Sequence, residues 1–576
     1  MSITHRALAI NEVLALIFCF LDDKSNATNA RVCKRWSELA LEVLWHDINA
    51  ACLIHSLGYR NEHYHKQVPG LDAWTRWAVN AERVRSIRAY DGRNAPQGTL
   101  KGEGLWHEMK TISIFRPRMV LCPRLRSLTW LRMERDFLPL FLNDTVTHFT
   151  LSYLVGDIST YSDRMLAQLI TTRMPNLTSL DLRIGENAIT KDAMKFLVDL
   201  IDGLPCLEVL TERSRVMQPQ VLEALSRRRK LKTISLGCDR KDTINPKDRG
   251  YDRTCPQGKA SFNEDAFPCL VNLSIRLPLP AMNHLLRHDY FPASRLTTLI
   301  FRMVFEEPTE EIEGLIRAVA EQCLCLRKLG LLLSRPIRQQ RDSFDENWEE
   351  AWGEDSDSDN EDAHDSALPL TQDDINAILD APTAASTFGP LHFGSLSPLL
   401  ALKHLHRLDI WHTRALNMSD DDVIHLAERL PLLRKLNLNI VPDGHESPLL
   451  TIGVLAGLAK ARPEFHSLAL YLNVESTTLQ AVLDRNKGPM PRFQRLETLA
   501  LGPSPLQKSS CTTLALFLSR IVQAHTMLGA GRSFKRFLIG CSCPEHMLDN
   551  WDTVRTSVPD MVLARMDHEA MMAEKV

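Results

Sequence analysis

Leu177-Thr178-Ser179-Leu180-Asp181-Leu182 is the stretch from which the fold is read. In an extended chain, Leu180 and Leu182 fall on one side and Asp181 on the other. The same pattern, L-x-x-L-x-L with Ile or Phe in places, begins at Leu177, Leu231, Leu270, Leu296 and Leu326. It resumes at Leu405, Leu433, Phe465, Leu496 and Phe534. Looser copies begin at Leu125, Val146 and Leu207, and Val84 opens the series. Successive copies lie about 29 residues apart in the first half and about 32 in the second, at or beyond the long end of the ~20–29 residues of a leucine-rich unit.

Between the hexamers, apolar residues recur at helical spacing, as in Met165, Leu166, Leu169, Ile170 and Met194, Leu197, Val198, Ile201. Each unit therefore reads as a short strand and a return helix. Such a unit cannot cover its own apolar face, and stacked neighbours cover it instead. The expected fold is an α/β solenoid, an irregular leucine-rich-repeat-like horseshoe of strand–helix units. The stretch from Leu326 to Leu405 is far longer than the other intervals. It holds Asp342 to Ser366, with twelve Asp/Glu and no Lys/Arg, followed by Ala- and Thr-rich sequence. Taking away those twelve charges turns the net −3 of the chain into +9. Residues 338–390 are expected to be a disordered acidic loop, between a first solenoid part at 51–337 and a second, with a C-terminal cap, at 391–576.

The N-terminus follows another rule. Ile10, Val13, Leu14, Ile17, Phe18 and Leu21 form one helical stripe, and Leu16 and Phe20 widen it. So small a unit cannot bury all of that surface internally, which predicts a partner. Asn11 is the expected N-cap, and Asp22 to Asn26 ends the helix. Trp36, Leu39, Ala40, Val43 and Leu44 form a further stripe, closed by Trp45.

Residues 6–48 resemble an F-box of the fungal type. The likeness rests on Glu12-Val13-Leu14, Ile17-Phe18, Phe20-Leu21, Arg31-Val32-Cys33-Lys34-Arg35-Trp36 and Leu44-Trp45. The family's usual proline is replaced by Ile10 or Asn11, and its leucine-rich second helix reads Ser25-Asn26-Ala27-Thr28. The resemblance implies an all-α domain at 1–50 that docks the Skp-family adaptor and, through it, a cullin. The implied docking residues are Ile10, Val13, Leu14, Ile17, Phe18, Leu21, Val32, Cys33, Trp36, Leu44 and Trp45. The implied function is a substrate-recruiting subunit of a cullin-RING ubiquitin ligase. The alternative is an interaction scaffold outside ubiquitin chemistry, whose helices only cap the solenoid.

Residues alternating away from the core are the expected target surface: Arg183, Arg276 and Arg302 in the first half, and Trp411, Lys435, Asn437, Asn439 and Tyr471 in the second. Ser356 and Ser358 each precede an acid by three residues and are expected phosphorylation sites. The acidic loop would then compete with an acidic target for the arginine side, or else only solvate the chain.

The chain offers little for other chemistry. Gly250 to Ser261 has seven residues between its glycines and an alanine after Lys259, so it fails as a phosphate loop. Cys541, Cys543 and His546, or His55, His63 and His65, lack the four paired ligands of structural zinc. There is no G-x-S-x-G or H-E-x-x-H. Arg227-Arg228-Arg229-Lys230 resembles a short nuclear signal but reads better as a cationic helix end. Thirteen cysteines without a C-x-x-C pair suggest reduced core residues. No apolar run suggests a membrane span. The expectation is a non-enzymatic protein of the cytoplasm and/or nucleus, without cofactor, metal, nucleic acid or membrane, whose partners are the adaptor and an unknown protein substrate.

Overall fold

A computed structural model describes residues 8, 10–57, 70–90, 102–116, 118–131, 135–153, 163–184, 191–212, 218–236, 260–303, 308–333, 389–440, 448–485, 490–502, 504–529 and 545–573. They fall into two compact units, one of Met1–Gly237 with Ser261–Leu270, the other of Cys238–Ala260 with Val271–Val576.

The first unit starts with helices α1 (Asn11–Cys19), α2 (Asp23–Asn29) and α3 (Lys34–His46). The chain leaves α3 directly into β1 (Asp47–Asn49). Then follow β2 (Ser86–Tyr90), β3 (Ser127–Leu131), β4 (His148–Tyr153), β5 (Ser179–Ile184), β6 (Val209–Glu212) and β7 (Thr233–Leu236). Each strand pairs in parallel with the one before it in the chain. The register sets the same hexamer position side by side at ~4.8 Å. Ile48, Ile87, Leu128, Phe149, Leu180, Leu210 and Ile234 thus form one buried row. Helices Asp163–Arg173, Lys191–Asp202 and Pro219–Ser226 make the return runs. Leu166 and Ile170 face inward as expected, whereas Met165 is 52% exposed and Ala167 takes the inward place.

The second unit repeats the scheme with β8 (Asn272–Leu277), β9 (Thr298–Met303), β10 (Lys328–Leu333), β11 (Arg407–His412), β12 (Lys435–Leu438), β13 (Ser467–Leu470), β14 (Thr498–Ala500) and β15 (Met527–Gly529). All neighbouring pairs in this series are parallel and in chain order. The buried row here runs Leu273, Leu299, Leu329, Leu408, Leu436, Leu468 and Leu499. Return runs include helices Thr309–Gln322, Asp420–Arg429, Val454–Ala461 and Cys511–Ile521. The helix Glu545–Ala573 packs on Cys511–Ile521 and inserts Trp551, whose Nε1 donates to the Ser504 carbonyl at 2.7 Å.

This is the leucine-rich-repeat-like solenoid expected, built on nine of the ten hexamers and all the looser copies. The Phe534 hexamer lies outside the described residues. The strand beside β14 is Met527–Gly529, and the series opens at β1, ahead of Val84. Asn11 is not the N-cap. Ile10 holds that place in extended conformation, and Asn11 Oδ1 instead accepts from Arg35 Nε at 2.7 Å. Among the described residues the cysteines are not mainly core: Cys122, Cys323 and Cys511 are buried, but Cys19, Cys33, Cys52, Cys269 and Cys325 are exposed.

Candidate functional site

In the N-terminal helices the i, i+4 pair Leu14 and Phe18 turns inward onto Ala40, with Leu8, Ala30, Trp36, Leu39 and Val43 around them. The Phe18 and Trp36 rings meet edge to face, centroids 5.5 Å apart. Asn26, fully buried on α2, donates its Nδ2 to the Phe18 and Leu21 carbonyls at 2.9 and 3.2 Å. Those carbonyls lie at and just past the end of α1, where helix carbonyls lack intrahelical partners, and Asn26 adds to the one backbone bond that Phe18 O accepts from Leu21 N at 3.2 Å. The polar second helix, departing from the family's leucines, thus ties down the first. Asp22 caps α2 by accepting from Ser25 N, and hydrogen bonds from the Ser25 hydroxyl and then its backbone hold the Asp22 carboxyl below the usual range.

With Leu14 and Phe18 spent on the core, the outward side carries the remaining apolar residues. Phe20 is 87% exposed and Leu16 61%; Val32, Ile10, Ile17 and Leu21 are exposed as well, and so is Cys33. Val13, Trp36, Leu44 and Trp45 are half-buried. A large apolar side chain left fully exposed forgoes ~1.5–3 kcal/mol of burial, and this group of them on one small helical unit is its candidate docking surface.

The expected target residues are placed differently. Arg183 is half-exposed, 3.5 Å from Asp181. Trp411 and Lys435 are half-buried. Arg276, Arg302, Asn437, Asn439 and Tyr471 are buried, which corrects the expectation that alternation leaves them open. The cause is the register. Arg276, Arg302, Leu332 and Trp411 occupy one row of adjacent rungs and crowd one another, and Arg302 Nη1 donates to Ser274 Oγ at 2.8 Å. Asn439 has φ 49°; its side chain accepts from His412 N at 2.8 Å and donates to Arg414 O at 2.6 Å, fastening the end of β12 to the chain after β11. Ser356, Ser358 and the acidic tract lie outside the described residues, as do His63, His65, Cys541 and Cys543. Half-buried His55 has its pKa lowered by burial, and His546 is exposed. Among the described residues no three potential metal ligands gather, and no helix is long and apolar enough to cross a membrane. Arg227 and Arg228 grip Asp202 at the end of the helix Lys191–Asp202 of the repeat before, Arg227 Nη2 at 2.8 and 2.9 Å.

Sequence reasoning missed a cleft of about 610 Å³ in the first unit, lined by Arg85, Arg124, Arg126, Asp144, Thr145, Thr147 and Asn176. Three of its lining residues come from the variable x positions of the hexamers, immediately ahead of β2, β3 and β4. The signal was therefore present in the spacing.

No curated protein matches the chain. The solved structures it is similar to include the leucine-rich repeat-containing protein LegL7 from Legionella pneumophila, at 12% identity and TM-score 0.28, covering 64% of this chain and 79% of that one. Another is the TLR13–ssRNA13 complex, at 14% identity and TM-score 0.29, covering 82% of this chain and 56% of that one. A family model described as F-box-like matches residues 11–51, from the first turn of α1 past β1, and this segment is an F-box-like domain.

Proposed function

We propose that this chain is the substrate-recruiting subunit of a cullin-RING ubiquitin ligase. Its F-box-like helices dock a Skp-family adaptor, which links it to a cullin, and its solenoid holds a protein target. The observation that carries this reading is the coincidence of the F-box-like match at 11–51 with exposed Ile10, Leu16, Ile17, Phe20 and Leu21 on α1 and at its ends, while its Leu14 and Phe18 already fill the core. Ubiquitin transfer belongs to other subunits, so the chain needs no catalytic residue of its own. The compartments that fit are the cytoplasm and nucleus, where such ligases work.

The test is co-purification of the full chain with a Skp-family adaptor, comparing the parent with Ile17→Asp/Phe20→Asp. Both side chains are exposed, so the fold should tolerate the change, and the charges should abolish capture. Capture of the double variant at the parental level rules this docking surface out.

One observation favours a second reading, an interaction scaffold outside ubiquitin chemistry. β1 leaves α3 without a linker and pairs with β2 through Asp47, Ile48 and Asn49. The helices would then serve as the terminal cap that a repeat array needs. No capture of the adaptor by the parent chain would select this reading.

A further inference from the structure

We propose that the strand-start edge of β10 to β13 binds an extended acidic segment of a partner protein. The residue just ahead of each of these strands is Arg327, His406, Arg434 and His466 in turn. Backbone bonds fix them as adjacent rungs: His406 N donates to Arg327 O at 2.7 Å, Arg434 N to His406 O at 2.8 Å, and His466 N to Arg434 O at 2.9 Å. The next position along each strand adds Lys328, Arg407 and Lys435 in matching register.

A solvated strand edge ordinarily mixes signs, and the corresponding edge of the first unit does. There Glu208 and Lys232 stand on neighbouring rungs and pair at 2.7 Å. At the strand-start position of these four rungs of the second unit no acid occurs until Glu497 ends the run ahead of β14. Arg327 and Arg434 are both exposed, and neither makes an ion pair among the described residues. Asp409 is buried and held by Arg407 at 2.6 Å, so it neutralises that arginine, and the exposed carboxylates Glu464 and Glu497 flank only the His466 end, which leaves the edge around Arg327 and Arg434 cationic.

Spacing points to an extended peptide. Arg327 and Arg434 stand two rungs apart, ~10 Å at ~4.8 Å per rung. In an extended chain of the polyproline-II kind, with three residues per turn at ~3.1 Å each, side chains three apart share one side and lie ~9 Å apart, so acids at i and i+3 would meet the two guanidinium groups. Guanidinium–carboxylate bonds are among the stronger polar contacts a protein makes. Single-stranded nucleic acid fits worse, because it binds through aromatic stacking platforms, and none of these rungs starts with Phe, Tyr or Trp, while the two imidazoles, His406 and His466, are half-buried. The inference deepens the proposed function by giving the target's chemistry, and it rests on that reading only for the partner's status as a ligase target.

The test uses the full chain without adaptor and a fluorescein-labelled oligoglutamate peptide, with oligoglutamine and oligothymidylate as comparison probes. Oligoglutamate is expected to bind more tightly than either. Arg327→Ser/Arg434→Ser should weaken oligoglutamate binding by about three- to thirtyfold, in keeping with two exposed charge contacts. The pair Arg287→Ser/Arg317→Ser, exposed on the return-helix side, should leave it unchanged. Equal loss in both double variants, no loss in the first, or preference for oligothymidylate would each overturn the proposal. A chain that binds oligoglutamate but not the adaptor would lose the ligase reading and keep this one.

Discussion

Arg407 and Asp409, two residues apart on β11, form an ion pair whose Nε–Oδ2 distance is 2.6 Å, with both side chains almost wholly out of solvent. Burial pushes the Asp409 carboxyl up, while the Arg407 guanidinium, then Lys328 and Lys435, pull it down. Arg407→Met should therefore cost ~3–5 kcal/mol, because it strands a buried charge. Arg407→Met/Asp409→Leu should recover most of that loss. The pH dependence follows from the direction of the shift. An acid whose folded pKa is raised stabilises the fold at low pH, and that stability is lost as pH rises from its unfolded value, ~3.9, towards the raised one. Removing Arg407 raises the folded value further, so the single variant's deficit should be larger at pH 7 than at pH 5. Urea titrations at the two pH values check both points. A deficit independent of pH would mean that lost packing, rather than charge, sets the cost.

Asn26→Ala removes both side-chain donors from the end of α1. Losing two side-chain hydrogen bonds, one of them buried, costs ~0.5–1.5 kcal/mol each, and the loss should be local. Hydrogen exchange on the full chain is expected to speed up for amides in α1 and α3 and to stay constant in β8 to β13. Thr28→Ala, which removes only an exposed bond to the Lys24 carbonyl at 3.1 Å, should change nothing measurable. Equal exchange in the two variants would remove Asn26 as the clamp.

Gly502 sits at φ 55°, and a Cβ there would lie 2.3 Å from the Ile440 carbonyl oxygen. The left-handed backbone alone costs an alanine ~1–2 kcal/mol, and the clash with main chain adds to it. Gly502→Ala should thus lower the urea midpoint clearly. Gly394, with nothing within 4 Å of an added Cβ, should tolerate alanine or gain ~0.4–1 kcal/mol. Indistinguishable midpoints would show that the chain around Ile440 yields freely.

The hexamers were legible because three apolar positions in six residues set a strand's phase, and thirteen strands follow from them. β1 and β15 were not, since Asp47-Ile48-Asn49 and Met527-Leu528-Gly529 are too short to display a period. Alternation told which side of a strand Arg276 and Tyr471 occupy but not how deeply neighbouring rungs would cover them. Depth depends on register with strands far away in sequence. Asn11 failed as a cap for the same reason: its partner Arg35 is 24 residues away, beyond any local pattern. The basic strand starts were visible as x positions of the hexamer and gained meaning only once the rungs were stacked.

The β10–β11 pairing joins Lys328 to Arg407 and Leu333 to His412 without a slip, although the chain connecting them is far longer than any other connection in the unit. Closing a flexible connection grows costlier only with the logarithm of its length, by ~0.6 kcal/mol per doubling. The six-residue register and the apolar row beneath it do not lengthen with the connector. Insertions between rungs are therefore nearly neutral for the ladder, and a gene for such a chain can acquire new sequence between repeats while its rungs keep their pairing.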